Sequence, residues 1–344
     1  MDIFTNLSSN HNYSSKELQL IFGAWVLSGA FGSSNGKVNA ENGDVSEDDY
    51  SKQSIYSLLY SLYRTVGTVK SETGAPYEFT FNTWGYEWPT AWGETPIGNT
   101  DPQRYGKYAY SGLYHFDIVK KYLAERKGCV HVVEMGCGTG AGADHVLRNV
   151  LPHATYEAID MQSAGIATCR RKFVPGLNGR LVATCADATN LQIEDATADF
   201  VAVCETHVTE HVGVVSDEDK AFFNTARRLL KPGGFLVWGN AIPDATWQPT
   251  FDYLASIGLE LKEECDVTGE AIRARDLDVA RADAYVDQAI QKFVAFRIPV
   301  LGRKRRAEAE VALKNFFRNP GTNLYNNMCN RTDTYRVVLL QKAN

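Results

Sequence analysis

A glutamate followed by three alternating glycines, in Val132-Val133-Glu134-Met135-Gly136-Cys137-Gly138-Thr139-Gly140, is the stretch of this sequence best suited to cradle a ligand. Glycine leaves open the space that a side chain would fill, so backbone N–H groups can approach a bound molecule closely. A helix starting after Gly140 would turn its free amide groups the same way. The spacing Gly136-x-Gly138-x-x-Ala141 also fits the looser fingerprint of dinucleotide folds, so the loop alone admits two cofactors, or a turn with no ligand. Asp160, at the end of Tyr156-Glu157-Ala158-Ile159-Asp160, can accept bonds from both hydroxyls of a ribose and suits either cofactor.

Later features separate the two. Asp187 and Ala188 follow Leu181–Cys185, where an acidic side chain and a backbone amide can meet an adenine edge; capping a turn is the plainer role for Asp187. Cys204-Glu205-Thr206-His207 ends the next apolar run, His211 follows, and then comes Lys231-Pro232-Gly233-Gly234. This order is that of an S-adenosylmethionine-dependent methyltransferase and not the usual layout of a hydride-transfer enzyme. The expected cofactor contacts are Glu134, Gly136, Cys137, Gly138, Gly140, Asp160, Met161, Asp187, Ala188 and Glu205, with Tyr105 from the N-terminal part.

Methyl transfer is an in-line displacement at a sulfonium carbon, so the protein chiefly positions the acceptor and removes its proton where it has one. A hydroxyl acceptor needs a base, and histidine titrates in the useful range. His207 is the first candidate and His211 the second, with ordering of the loop as the non-catalytic alternative for both. The cluster Glu205-x-His207-x-x-Glu210-His211 is too weak a ligand pattern for a metal site to be expected. Trp84, Tyr86, Tyr114 and His115 are candidate substrate contacts, although many aromatic side chains here must be ordinary core. A mainly apolar wall implies a hydrophobic acceptor, and O-methylation leads over C- or N-methylation and over a non-transferring binding or ring-forming protein of the same S-adenosylmethionine fold.

These residues need a scaffold of alternating strands and helices. The pattern predicts strands at Val130–Met135, Tyr156–Met161, Leu181–Cys185, Phe200–Glu205, Phe235–Asn240, Leu259–Val267 and Tyr335–Gln341. It predicts helices at Gly142–Leu151, Ala164–Phe173, Glu218–Leu230 and Thr246–Ile257, with Lys231-Pro232-Gly233-Gly234 as a helix stop. The fold class is therefore α/β, a Rossmann-like seven-stranded sheet. Residues 1–127 are read as an N-terminal cap, 128–267 as the cofactor-binding core, 268–334 as a helical lid insertion and 335–344 as the final strand. The cap reads as loops and helices without regular sheet, because sixteen aromatic residues crowd Tyr50–Phe116 among glycines and prolines. Helical periodicity in the insertion covers Asp276–Phe296 and Arg306–Phe317.

The motifs from Phe81 onward resemble the methyltransferases that act on phthiotriol and phenolphthiotriol dimycocerosates, and more widely small-molecule methyltransferases of lipid and polyketide pathways. The resemblance rests on Phe81-Asn82-Thr83-Trp84-Gly85-Tyr86, Leu113-Tyr114-His115, Val133–Gly140, Ala164-Gly165-Ile166, Cys169-Arg170-Arg171, Pro175-Gly176-Leu177, Glu205-Thr206-His207 and Tyr335–Gln341. It implies the class I methyltransferase fold and a lipid or polyketide acceptor. This chain departs from those relatives in having His207 two residues after Glu205 instead of three, and in extra sequence before Lys231.

With 44% hydrophobic residues the chain has ample material for a core. A net charge of -6 gives no pull toward nucleic acid, and the basic run Arg303-Lys304-Arg305-Arg306 reads as a solvated helix start. Seven cysteines without paired spacing indicate reduced core thiols in a cytoplasmic protein. Leu18–Phe31 is too short an apolar run to span a bilayer. It is expected to be a packed helix, with peripheral membrane contact the alternative, and a homodimer also stays open.

Overall fold

The computed structural model describes residues 68–70, 76–78, 80–81, 83–126, 128–206, 212–294, 310–311, 313–314 and 317–344. The described residues among 80–275 and 327–344 form one compact unit, and the described residues before Thr80 and among 276–326 form the second. The candidates His207 and His211, the segment Leu18–Phe31 and the basic run 303–306 lie outside the described residues.

The first unit is built on a seven-stranded sheet. Its strands are β3 (His131–Met135), β4 (Thr155–Asp160), β5 (Leu181–Cys185), β6 (Ala198–Cys204), β7 (Leu230–Pro243), β8 (Leu259–Asp266) and β9 (Asp333–Lys342). The spatial order is β5-β4-β3-β6-β7-β9-β8. The pairings among β5, β4, β3, β6 and β7 are parallel, whereas β9 runs antiparallel to both β7 and β8. All seven residues of β6 are buried, as expected for a central parallel strand covered on both faces. The seven expected strands are all present, and the class is the Rossmann-like one read from the sequence.

Helices cover the sheet. In chain order they are α1 (Arg104–Gly112), α2 (Asp117–Glu125), α3 (Ala141–His145), α4 (Ser163–Lys172), α5 (Asp217–Leu229) and α6 (Asp244–Ser256). The start of α5 is set by a capping box: Asp219 N–H donates to Ser216 Oγ at 3.1 Å and Ser216 N–H to Asp219 Oδ2 at 2.7 Å. One face of the sheet packs on Phe222, Phe223, Trp247 and Leu254, with the Trp238 and Trp247 rings 4.9 Å apart. Phe200 and Phe235 stack at 5.7 Å, and Tyr122 of α2 sits edge-on to both.

Four local expectations change. The helix after the glycine loop is regular only to His145 and continues as a wider π-type turn over Val146–Val150. Lys231–Gly234 is not a free turn between helix and strand: pairing jumps from Ala198–Leu230 to Phe200–Phe235, and the four residues form a bulge within β7. The aromatic-rich stretch does contain sheet, since β1 (Thr68–Lys70) and β2 (Pro76–Glu78) pair antiparallel. Helix α7 (Thr268–Val294) starts eight residues before the periodicity signalled, and α8 (Asn323–Cys329) precedes β9. Among the described residues no helix is long and apolar enough to cross a membrane.

Candidate active site

The strand order places a topological switch between β3 and β6: β3 continues to β4 on one side, whereas β6 is followed by β7 on the other. In open α/β sheets the crevice at the carboxyl ends of such a pair is where ligands bind. The glycine loop leaves β3 at this point, and Glu205-Thr206 leaves β6 beside it.

The loop is a chain of constrained turns. Gly136, Gly138 and Gly140 have φ of +91°, +57° and +81°, a region that favours glycine. The N–H groups of Gly136 and Cys137 both donate to Ile159 O at 2.8 Å, fastening the loop to β4. A side chain at Gly136 would strike Thr206 at 2.0 Å, and one at Gly140 would meet the Cys169 thiol at 2.2 Å. The Thr206 hydroxyl donates to Gly136 O at 2.8 Å, so this threonine both fills and fixes the turn. Thr139 is buried and donates to Thr80 O at 2.8 Å.

Asp160 turns toward the protein. Its Oδ2 accepts the Gly138 N–H at 2.8 Å and its Oδ1 the Gln162 N–H at 2.7 Å. Burial pushes its pKa up to about 6, against the lowering effect of those two N–H groups. Gln162 is 4% exposed, and its Nε2 has no hydrogen-bond partner among the described residues, so a buried donor stands beside the loop. Met161 is exposed, as is Asp187, whose Oδ1 accepts the Thr189 N–H and hydroxyl at 2.8 Å each in a local turn. Ala188 next to it is half-buried.

Glu134 is fully buried beneath the loop, and among the described residues neither carboxyl oxygen has a partner in good hydrogen-bond geometry. Burial raises its pKa to about 7; the nearby hydroxyls of Tyr110 and Tyr156 oppose the rise and Asp160 adds to it. Cys137 is buried as well, and burial holds its thiol well above the usual range.

Glu205 faces the N-terminal segment. It sits at φ +51°, uncommon for a residue with a side chain. Its Oε2 accepts the Trp84 N–H at 2.6 Å, while Oε1 accepts the Gly85 N–H at 3.3 Å and the Tyr335 hydroxyl at 2.9 Å. Gly85, at φ +59°, has the Tyr105 backbone where a side chain would project, so Tyr105 is packed beneath this segment and only 2% exposed.

Trp84, Tyr86 and Tyr114 are buried at 5%, 0% and 4% exposure. Tyr86 meets Trp92 and Tyr335 edge-on, and Tyr114 meets Phe200. His115 is half-buried and stacks on Trp92 with centroids 4.2 Å apart; burial lowers its pKa to about 4, leaving the ring neutral at pH 7. The structure thus gathers the loop, Asp160, Gln162, Glu205 and Thr206 at the carboxyl ends of β3, β4 and β6. Thr206 and Gln162, which contact the loop or its brace, are not among the candidates read from the sequence. For Thr206 the available signal was its position directly after a strand-terminal acid, and for Gln162 its place two residues beyond Asp160.

Residues 133–238 match the family model described as a methyltransferase domain. The chain is 28% identical over 223 residues to a probable phthiotriol/phenolphthiotriol dimycocerosates methyltransferase 2 of Mycobacterium ulcerans, covering 63% of this chain and 77% of that protein. It is 27% identical over 233 residues to a fatty-acid O-methyltransferase of Mycolicibacterium smegmatis, covering 67% and 78%. Among solved structures, the (4+2)-cyclase SpnF superposes with a TM-score of 0.54 at 16% identity over 85% of this chain and 96% of that one, a likeness of fold. A methyltransferase domain matched over residues 133–238, the sheet order and the glycine loop agree on an S-adenosylmethionine-dependent methyltransferase built on a Rossmann-like sheet.

Proposed function

We propose that this methyltransferase acts on the oxygen of a hydrophobic lipid- or polyketide-like small molecule. The observation that carries the reading is the position of Glu205-Thr206 against the glycine loop at the β3/β6 switch point, where a nucleoside ligand and its acceptor would meet. The acceptor class draws on likeness to the fatty-acid O-methyltransferase and to the phthiotriol/phenolphthiotriol enzyme.

S-adenosylmethionine, when bound, supplies an electrophilic methyl group. The constrained loop Gly136–Gly140 would hold it, with Glu134 buried beneath the loop and Asp160 bracing it from β4. The buried Gln162 amide fits a polar nucleoside, and Met161, Asp187 and Ala188 would flank its base. His207 or His211 would take the proton of a hydroxyl acceptor. Trp84, Tyr86 and Tyr114 would shape the acceptor space from within the core, and His115 from its stack on Trp92. Seven free cysteines favour a reducing, cytoplasmic setting.

The test is transfer of labelled methyl from S-adenosylmethionine to a panel of fatty acids, long-chain alcohols and phenols. Labelled ester or ether products are expected, with turnover lost in His207→Ala or His211→Ala. Label on carbon or nitrogen, or turnover untouched in both variants, would remove the O-methylation and general-base readings.

A further inference from the structure

We propose that Glu205 is a positioning residue: it sets the glycine loop for the cofactor through Thr206, without itself touching the ligand. The inference rests on the reading above and reassigns one of its residues.

Regular structure ends at Cys204, yet the next residue is held firmly. Its N–H donates to Gly239 O at 2.8 Å, while its carboxylate accepts from Trp84, Gly85 and Tyr335. Those donors come from a segment without regular structure and from β9, so one side chain ties two remote stretches to the end of β6. Tyr335 is fully buried and Trp84 nearly so. The carboxylate is therefore occupied on the protein side of the crevice.

The consequence falls on the following residue. The left-handed φ of Glu205 turns the chain, and Thr206 then lies over Gly136, its hydroxyl on Gly136 O and its methyl against the Gly136 Cα. A left-handed conformation costs a residue with a Cβ about 1 kcal/mol or more and persists where surrounding contacts enforce it. The bonds to Trp84, Gly85 and Tyr335 are those contacts. Thr206 also accepts, at its carbonyl, the Asn240 amide at 3.4 Å, so the turn is held from both directions.

Glutamine at 205 would set an NH2 group against N–H donors and lose part of the clasp. In Glu205→Gln the dissociation constant for S-adenosylhomocysteine is expected to rise about tenfold, the size expected from losing a charge-assisted hydrogen bond. The KM for S-adenosylmethionine should rise with it while kcat stays within about threefold. Hydrogen exchange at the Trp84 and Gly85 amides should quicken in the ligand-free protein. Tyr335→Phe, which removes a fully buried hydroxyl, should weaken S-adenosylhomocysteine binding in the same direction. In a Thr206→Val background Glu205→Gln should add little further loss. Additive losses in that double-mutant cycle, or unchanged affinity in Tyr335→Phe, would overturn the proposal. Failure of the wild-type protein to bind S-adenosylhomocysteine would instead overturn the cofactor reading.

Discussion

Asp160 grips Gly138: a carboxyl oxygen at the end of β4 accepts the N–H of the central glycine of the loop at 2.8 Å, while its second oxygen holds Gln162 at 2.7 Å. The side chain read as a ribose ligand is thus first a brace for the loop. Asp160→Ala leaves two N–H groups without their acceptor and should cost about 1–3 kcal/mol of stability. Denaturant unfolding measures that loss. A thermal shift by S-adenosylhomocysteine should shrink in the same variant, since a looser loop binds less well.

The buried Glu134 makes stability depend on pH in an unusual direction. Its pKa is raised from 4.5 to about 7, so the folded state binds the proton more tightly than the unfolded chain. Stability from this group is full below about pH 4.5 and declines as pH rises toward 7. Glutamine mimics the neutral acid, so Glu134→Gln should be more stable than wild type at pH 8 by up to about 3 kcal/mol. The difference should vanish near pH 4. Equal melting differences at the two pH values would contradict this account.

Gly136 is constrained twice, by φ of +91° and by Thr206 at 2.0 Å from any added side chain. Gly136→Ala should destabilise by about 2–4 kcal/mol, combining strain and overpacking. Adding Thr206→Ala should recover only the steric part, leaving the backbone strain. Paired melting curves of the single and double variants separate the two contributions.

At the opposite ends of the strands Asp199 is fully buried. Its carboxylate is met by Lys231 Nζ at 2.9 Å, Tyr122 hydroxyl at 2.8 Å, His131 N–H at 2.9 Å and Arg126. Burial pushes its pKa up, but these donors outweigh burial and hold it below the usual carboxylate value. Its stabilisation is therefore present above about pH 4 and lost as pH falls further. Asp199→Ala should cost about 3–5 kcal/mol, because it leaves buried donors and cations without their partner. Urea titration at pH 7 checks the value.

The sheet was legible because buried parallel strands write themselves as unbroken apolar runs, as in Phe200–Cys204 and Phe235–Trp238. The glycine loop was legible because its positive φ values demand glycine. Roles fixed by side-chain direction were not. Asp160 and Asp187 carry the expected residue type at the expected strand ends, yet one braces a loop and the other closes a turn with Thr189. Sequence spacing places a carboxyl group near a crevice but does not say whether neighbouring N–H groups claim it first. The aromatic stretch had the same difficulty: Trp84, Tyr86 and Tyr114 have the chemistry of a ligand wall, yet all three are buried, Tyr86 against Tyr335 and Tyr114 against Phe200. The bulge at Lys231–Gly234 hid because proline and glycine signal a break without showing that pairing resumes beyond it.

The last strand in sequence order, β9, lies between β7 and β8 and is the strand β8 hydrogen-bonds to. During synthesis, β8 therefore waits without a partner until more than sixty further residues have been made, counting from Asp266 to Asp333. The same strand brings Tyr335 to Glu205, so the clasp at the end of β6 is also completed late. A nascent chain that has already made its glycine loop still lacks the anchor that holds Thr206 over it. Competence to bind the methyl donor should thus appear late in translation, after the strand from Asp333 to Lys342 has docked.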